Sequence, residues 1–235
     1  MIMSGVARRL LSALLPLLLL SGCAGSSASE EVFVDFTLGP RGWSSGFSDY
    51  PVGQERFFEL DDGYRPLPPP LDSMGSALYI SGNNHSGDLF MFYGGKVGGL
   101  EAGRTYRVSF SVEFATSVPQ GCVGIGGAPG ESVYVKGGAS EVEPMAVSAG
   151  GYYRMNIDKG EQSSGGANAV VLGDVANSQP CGAGAPQWEL KKVSGGGAVE
   201  VTADAEGSLW LFVGTDSGFE GTSSLYYTSV RAILE

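Results

Sequence analysis

One segment alternates apolar and polar residues more regularly than any other, and this alternation constrains the class of fold. Within residues 105–114 every second side chain is apolar, and the residues between them are polar or charged. A period of two places successive side chains on opposite faces of an extended strand. The segment therefore predicts a β-strand with one face in a core. The apolar positions are Tyr106, Val108, Phe110, Val112 and Phe114.

Shorter runs of the same kind recur along the chain, and no segment after the first 22 residues has a long helical period. They lie at 31–36, 77–80, 89–93, 132–135, 152–157, 187–190, 198–202, 209–213 and 225–234. The run at 89–93 is apolar throughout, which predicts a strand buried on both faces. Glycine, with 38 residues, clusters between the runs as turn residues do. About ten short strands joined by such turns predict an all-β, antiparallel sandwich or barrel.

The N-terminus predicts export from the cytoplasm. Arg8 and Arg9 precede an apolar run at 10–20, which is shorter than the roughly 20 residues needed to span a bilayer. We therefore interpret the run as the hydrophobic part of a signal peptide.

The four residues at 20–23, with the sequence LSGC, resemble the bacterial lipobox. The resemblance implies cleavage after residue 22, a diacylglycerol on Cys23, and membrane attachment through that lipid, at the outer membrane where the host has one. The alternative is an ordinary secretory signal followed by a chance cysteine. We predict a signal peptide at 1–22, a lipidated tether at 23–31, and one extracytoplasmic β-sandwich domain at 32–235.

Two cysteines remain if Cys23 is lipidated. Cys122 and Cys181 form an even pair in an oxidising compartment, so we predict a disulfide between them. It closes a loop of about 60 residues, for which the chain-entropy model gives roughly 4 kcal/mol. Two free buried thiols are the alternative.

Charge and histidine content exclude several functions. The net charge is −11, and after the signal peptide the only adjacent basic pair is Lys191–Lys192, whereas nucleic-acid binding requires clustered cations. His85 is the only histidine, which argues against a zinc site and a Ser-His-Asp triad.

Two patterns resemble known modules. The segment LEAGRTY at 100–106, before the central strand, and the strand–loop–strand at 207–234 are similar to jelly-roll, galactose-binding-like modules. Blocks at 81–92, 121–136 and 214–220 resemble an uncharacterised family of bacterial lipoproteins and secreted proteins. The resemblance implies a single jelly-roll β-sandwich like that of carbohydrate-binding modules, and it implies no activity.

Two loops carry side chains suited to contact a ligand. One loop is polar and offers hydrogen-bonding groups, and the other carries aromatic rings that can stack on sugars. The alternatives are a turn capped by its own Asn and Asp side chains, and aromatic rings that pack in the core. The candidate ligand-binding residues are Trp43, Asp49, Tyr50, Asn83, Asn84, His85 and Asp88.

The jelly-roll resemblance also implies a structural calcium near the first and last strands. Calcium prefers several oxygen ligands in a flexible loop. The candidates are Asp35, Asp216 and Glu220, and the alternative is a solvated acidic turn.

Together these features favour a non-catalytic, membrane-anchored binding module for a polysaccharide or cell-surface glycan. One alternative is a glycan-active enzyme with paired carboxylates, for which Glu113 and Glu131 are candidates. The other is a structural envelope lipoprotein that binds no small ligand.

Overall fold

The structure, a computed structural model, describes residues 29–235 and is built almost entirely from antiparallel β-strands. The signal peptide, Cys23 and most of the tether lie outside the described residues. The first strand begins at Glu30, slightly ahead of the predicted start of the domain. Within residues 29–235 no helix is long and apolar enough to cross a bilayer.

The described part of the chain contains fifteen strands and two short 3-10 helices, at Phe36–Leu38 and Asp72–Met74. The strands are β1 (Glu30–Asp35), β2 (Ser44–Ser48), β3 (Tyr50–Pro51), β4 (Asp61–Pro66), β5 (Ser76–Asn83), β6 (Leu89–Val97), β7 (Thr105–Thr116), β8 (Val133–Ser140), β9 (Ala146–Ala149), β10 (Tyr152–Met155), β11 (Ala169–Asp174), β12 (Glu189–Ser194), β13 (Val199–Thr202), β14 (Leu209–Ser217) and β15 (Thr222–Leu234).

Two large sheets pack face to face. The seven-stranded sheet has the order β12-β7-β15-β5-β4, with β1 also paired to β15 and β13 to β7. The five-stranded sheet has the order β11-β8-β14-β6-β2, and a small third sheet has the order β3-β10-β9. Every strand pairing is antiparallel, so the predicted all-β antiparallel sandwich is confirmed.

The main core lies between the two large sheets. The alternation in β7 points Tyr106, Val108 and Phe110 inward, where all three are buried. The opposing sheet contributes residues such as Met91 and Leu211 to the same cluster. The side chains of the two inner faces thus form one core, as in other β-sandwiches.

The five-stranded sheet is also covered on its outer face. Phe90, Phe92 and Phe212 are buried there and pack against Met155 and Ile157. This covering buries β6 on both faces, as the uninterrupted apolar run at 89–93 predicts.

The predicted disulfide is confirmed. Cys122 and Cys181 are bonded, with their Cα atoms 5.1 Å apart. The bond ties the loop between β7 and β8 to the loop between β11 and β12. Gln120 and Pro180 form a β-bridge beside it, so the two loops are joined at two adjacent points.

The last strand, β15, runs from one end of the sandwich to the other. Glu30 pairs with Leu234 at one end of β15, and Thr222 pairs with Asn83 at the other end. A strand of 13 residues spans about 40 Å. The described chain therefore starts at the end opposite the loop that joins β14 to β15.

Candidate binding pocket and its buried charge network

Two oppositely charged residues are fully buried on the outer face of the five-stranded sheet. The Asp216 carboxylate oxygen Oδ2 accepts hydrogen bonds from Lys136 Nζ and Lys159 Nζ, each at 2.8 Å, and from the backbone N–H of Gln162 at 3.0 Å. Lys136 also donates to the backbone carbonyl oxygens of Lys159, at 3.0 Å, and Ser164, at 2.9 Å. A buried charge is tolerated only when it is paired and hydrogen-bonded. The network therefore fixes the segment 159–164 over the sheet.

The same network extends outward to the protein surface. Lys159 Nζ also lies 3.2 Å from Asp49 Oδ2, and Asp49 Oδ1 accepts a hydrogen bond from Arg154 at 2.8 Å. The Arg154 guanidinium lies 3.7 Å from Asp88 Oδ2 and is 47% exposed, whereas Asp49 is only 5% exposed. Charges of alternating sign thus connect the buried Asp216 to an exposed guanidinium.

An open cavity of about 280 Å³ lies above this network. Its volume is close to the lower limit of ordinary ligand pockets. Tyr152 lies beside it, 37% exposed, with its ring centroid 4.9 Å from the Arg154 guanidinium carbon. The lining therefore combines carboxylates with a guanidinium, and an exposed aromatic ring contacts that guanidinium. The lining residues are Asp49, Asp88, Arg154, Met155, Ile157, Asp158, Lys159, Gly160 and Glu161.

The backbone at Asp49 is held in an unusual conformation. Its φ of +70° lies in the left-handed region, which few residues other than glycine adopt, although Asp and Asn do so more readily than most. The backbone N–H of Asp49 donates to the carbonyl oxygen of Tyr153 at 2.7 Å, which ties this turn to β10. Backbone strain of this kind is concentrated at functional sites.

The pKa values of the half-buried Asp88 and the buried Asp216 are shifted in opposite directions. Burial and the negative charge of Asp49 raise the pKa of Asp88 from 3.8 to about 7. Burial also acts to raise the pKa of Asp216, but the ammonium groups of Lys159 and Lys136 outweigh it and hold that pKa below its ordinary value. Near neutral pH the pocket therefore holds one carboxyl group that exchanges its proton and one that stays ionised.

The structure brings together two of the residues predicted to bind ligand, Asp49 and Asp88, and places others elsewhere. Tyr50 is buried and packs against Phe58 and Tyr153. Trp43 is buried and contacts Phe36 edge to face, so its predicted role as an exposed platform is wrong.

The polar loop that follows β5 has a mainly structural role. Asn84 Oδ1 accepts from the backbone N–H of Ser86 at 3.1 Å, as expected for a self-capped turn. The same buried side chain donates to the carbonyl oxygens of Ser217 and Phe219, each at 2.9 Å, and so ties the turn to the loop before β15. Asn83 is the last residue of β5. His85 is exposed and stacks on Phe57 at a centroid distance of 4.2 Å, outside the lining of the pocket.

The structure does not bring the three predicted calcium ligands together. Asp35 caps a 3-10 helix by accepting from Thr37, and Asp216 is already paired with two lysines. Glu220 is exposed in the loop before β15. Among residues 29–235 no three His, Cys, Asp or Glu side chains form a group that could hold a metal ion. The prediction that Asp35, Asp216 and Glu220 form one calcium site is therefore wrong. Calcium binding elsewhere stays a prediction.

The two glutamates considered for catalysis lie in different parts of the fold. Glu113 on β7 accepts from Thr228, and Glu131 accepts from the backbone N–H of Gly121 in the loop that the disulfide ties down. Both contacts stabilise local structure.

Sequence reasoning missed the cationic half of the site, namely Lys136, Lys159 and Arg154. One signal was available, because Lys136 directly follows the apolar run at 132–135 and Asp216 lies near the end of the apolar strand β14. A charge in a strand that is otherwise apolar requires a partner of opposite sign. The two strands, β8 and β14, are neighbours in the sheet.

No protein-family model matches the chain, and no curated protein matches it in sequence. Several solved β-sandwich structures are distantly similar to it. A carbohydrate-binding module from the β-sandwich superfamily is 8% identical with a TM-score of 0.39, and the match covers 83% of this chain and 58% of that one. A family 61 carbohydrate-binding module in complex with β-1,4-galactotriose is 12% identical with a TM-score of 0.35, covering 86% and 94%.

The K3 cleaved adhesin domain of Lys-gingipain from Porphyromonas gingivalis W83 is 12% identical with a TM-score of 0.33, and the match covers 87% of this chain and 99% of that one. Likenesses this distant transfer no ligand. The function must be argued from the pocket itself.

Proposed function

We propose that the protein is a membrane-anchored, extracytoplasmic carbohydrate-binding module that holds a sugar in the cavity beside Arg154. One observation carries this proposal: the ion pair of Asp49 and Arg154 is held in place at the cavity by a buried network before any ligand arrives. A carboxylate accepts and a guanidinium donates hydrogen bonds, which suits the neighbouring hydroxyl groups of a sugar. Groups already held in position lose little entropy on binding.

The exposed ring of Tyr152 supports the same proposal. It lies next to Arg154 and can stack on the apolar face of a sugar, which adds buried surface to the polar contacts. Asp88, opposite, is half-buried and adds a second carboxyl group to the lining.

Anchoring through a lipid on Cys23 completes the proposal. The disulfide supports an oxidising compartment, as expected outside the cytoplasm. Asp216, under the cavity, pairs with Phe90 near the C-terminal end of β14, next to the loop that leads to β15. Glu30 pairs with the opposite end of β15. A lipid attached ahead of Glu30 would therefore leave the cavity on the half of the sandwich away from the membrane.

Isothermal titration of the full-length protein against neutral oligosaccharides tests the binding site. We expect the variant Arg154→Ala to bind at least tenfold more weakly than the wild type, because it removes the only guanidinium in the cavity lining. Arg107→Ala is the matched control, since Arg107 is exposed on the outer face of β7, and it should bind like the wild type. Equal affinity in Arg154→Ala and the wild type would refute the proposed site.

Calcium is a separate part of the proposal. A structural calcium predicts that the melting temperature falls when a chelator is added and recovers with excess calcium. An unchanged melting temperature removes calcium from the description and leaves sugar binding intact.

The environment of Asp88 favours a second candidate, a glycan-active enzyme. Its pKa of about 7, next to the ion-paired Asp49, is typical of a carboxyl group that exchanges protons during hydrolysis. Release of reducing ends from the bound oligosaccharide, abolished in Asp88→Asn, would support this candidate. Binding without any release would leave the module non-catalytic.

A further inference from the structure

A second cleft lies at the edge of the sandwich, where β2 and β4, the outermost strands of the two large sheets, face each other. Ser45 Oγ on β2 donates to Asp62 Oδ2 on β4 at 2.8 Å. The Tyr93 hydroxyl donates to the carbonyl oxygen of Tyr79 at 2.6 Å and accepts from the backbone N–H of Gly63 at 3.2 Å. Both walls of the cleft are therefore fixed relative to each other by bonds that cross between the sheets.

The cleft has a volume of about 250 Å³ and an aromatic lining. Tyr64 is 40% exposed, yet its hydroxyl donates to the carbonyl oxygen of Thr37 at 2.9 Å. This bond holds an exposed ring in one orientation. Trp43 and Pro40 also line the cleft. A rigid aromatic ring provides contact area at a low cost in conformational entropy.

Trp43 also borders a second cavity, of about 480 Å³, whose lining includes the exposed side chains of Phe33 and Leu38. Further units of a longer sugar chain that passes Trp43 would contact these apolar side chains.

We propose that this edge cleft is a second glycan-binding site, which takes an uncharged pyranose stacked on Tyr64 with its hydroxyl groups donating to Asp62. The inference goes beyond the proposed function, because the cleft shares no lining residue with the cavity beside Arg154. Asp62 is the only charged group in its lining, so an acidic sugar would be repelled. Two sites on one chain strengthen binding to a polysaccharide that reaches both.

The experiment uses the three tryptophans of the chain, Trp43, Trp188 and Trp210, as reporters. The full-length protein, labelled with ¹⁵N in detergent micelles, is titrated with β-1,4-linked gluco-, galacto- and xylo-oligosaccharides. The starting variant is Arg154→Ala, which disables the first site. We expect the indole N–H resonance of Trp43 to shift in this variant, while that of Trp188, which packs against Tyr226 in another cluster, stays unchanged.

Two substitutions at Tyr64 complete the test. Adding Tyr64→Ala should weaken the binding reported by Trp43 at least tenfold, because the stacking surface is lost. Adding Tyr64→Phe keeps the ring and should preserve most of that binding. If Tyr64→Phe folds and Tyr64→Ala does not, the spectra of the two variants show it. Asp62→Asn, which changes an exposed side chain, then replaces Tyr64→Ala in the test.

The outcomes separate the two sites. If the wild type binds sugar and the Trp43 resonance is unmoved in Arg154→Ala, the edge cleft is refuted and the first site stands. If Trp43 shifts in Arg154→Ala and isothermal titration finds a lower overall affinity than in the wild type, both sites are supported. If Trp43 shifts and isothermal titration finds equal overall affinity in the two proteins, the cleft is supported and the cavity beside Arg154 is refuted. If no oligosaccharide binds the wild type or the variant, both are refuted.

Discussion

Asp88 and Asp216 each keep one carboxyl oxygen, Oδ1, buried without a hydrogen-bond partner among the described residues. The Asp216 side chain is one of the causes that raise the pKa of Asp88, after burial and the charge of Asp49, because a protonated Asp88 can donate to it. A single proton on Asp88 would satisfy both oxygens at once. Unsatisfied buried oxygens and the raised pKa therefore have the same physical explanation.

This relationship predicts how stability depends on pH. The ordinary pKa of Asp88 is 3.8 and its folded value is about 7, so between these pH values the folded state binds more protons than the unfolded state. The free energy of unfolding should therefore fall as pH rises from about 4 to about 7, by roughly 2–4 kcal/mol, and level off above that range. Urea denaturation at a series of pH values measures the trend.

The variant Asp88→Asn isolates this contribution. Asn cannot ionise and still offers a donor to Asp216, so the difference between the two pH profiles reports Asp88 alone. The charged groups that act on it are Asp49, Lys159, Asp216, Lys136 and Arg154, and all five are retained in the variant. Parallel profiles for the wild type and Asp88→Asn would contradict the prediction.

The buried pair of Lys136 and Asp216 predicts non-additive effects of substitution. Asp216→Asn leaves two ammonium groups without their shared carboxylate, and we expect it to lower the free energy of unfolding by about 3–5 kcal/mol. Lys136→Met should cost a similar amount. In the double variant the loss should be smaller than the two losses combined, because no buried charge at position 136 is left without its partner. Additive losses, measured by urea denaturation, would show that the two side chains act independently.

The disulfide predicts a loss of stability in the reduced protein. It joins residues separated by 59 positions, and the chain-entropy model gives roughly 4 kcal/mol for such a loop. Cys122→Ser combined with Cys181→Ser should lower the urea midpoint accordingly. The wild type with reductant should match the double variant, and reductant should leave the double variant unchanged. Identical midpoints in all four samples would show that the crosslink does not constrain the unfolded chain.

Local patterning was enough to predict the strands, and the cysteine count was enough to predict the crosslink. The alternation at 105–114 and the apolar run at 89–93 each depend on which faces of one strand are buried, and a strand carries that information in its own sequence. For Trp43 the sequence left both an exposed platform and core packing open, because the burial of this ring depends on residues distant in sequence. A Cβ atom on Gly95 would lie 2.4 Å from the Trp43 indole nitrogen, so this glycine on β6 leaves the space that the ring occupies.

The candidate site was predictable only in part, for a similar reason. Asp49 and Asp88 stood out because they lie in the two predicted loops that carry aromatic and polar side chains. Asp216 was predicted to bind calcium because it lies with Glu220 before the last strand, where the jelly-roll resemblance implies a calcium site. Its true partners, Lys136 and Lys159, come from β8 and from the segment after β10. Only the sheet order brings these cations to the carboxylate.

The outer face of the five-stranded sheet supplies the last prediction, a matched pair of glycine substitutions. A Cβ atom on Gly138 of β8 would lie 2.1 Å from the Phe212 ring and 2.4 Å from the carbonyl oxygen of Asn168, whereas on Gly94 of β6 its nearest neighbour is 3.7 Å away. Gly138→Ala should therefore displace the segment 155–168, which covers the outer face of the sheet. We expect it to lower the free energy of unfolding by about 1–3 kcal/mol. Gly94→Ala should be close to neutral. The same segment carries Lys159, which lines the pocket. Sugar affinity should therefore fall in Gly138→Ala and stay unchanged in Gly94→Ala. Equal stability and equal affinity in the two variants would show that close packing at Gly138 does not support the pocket.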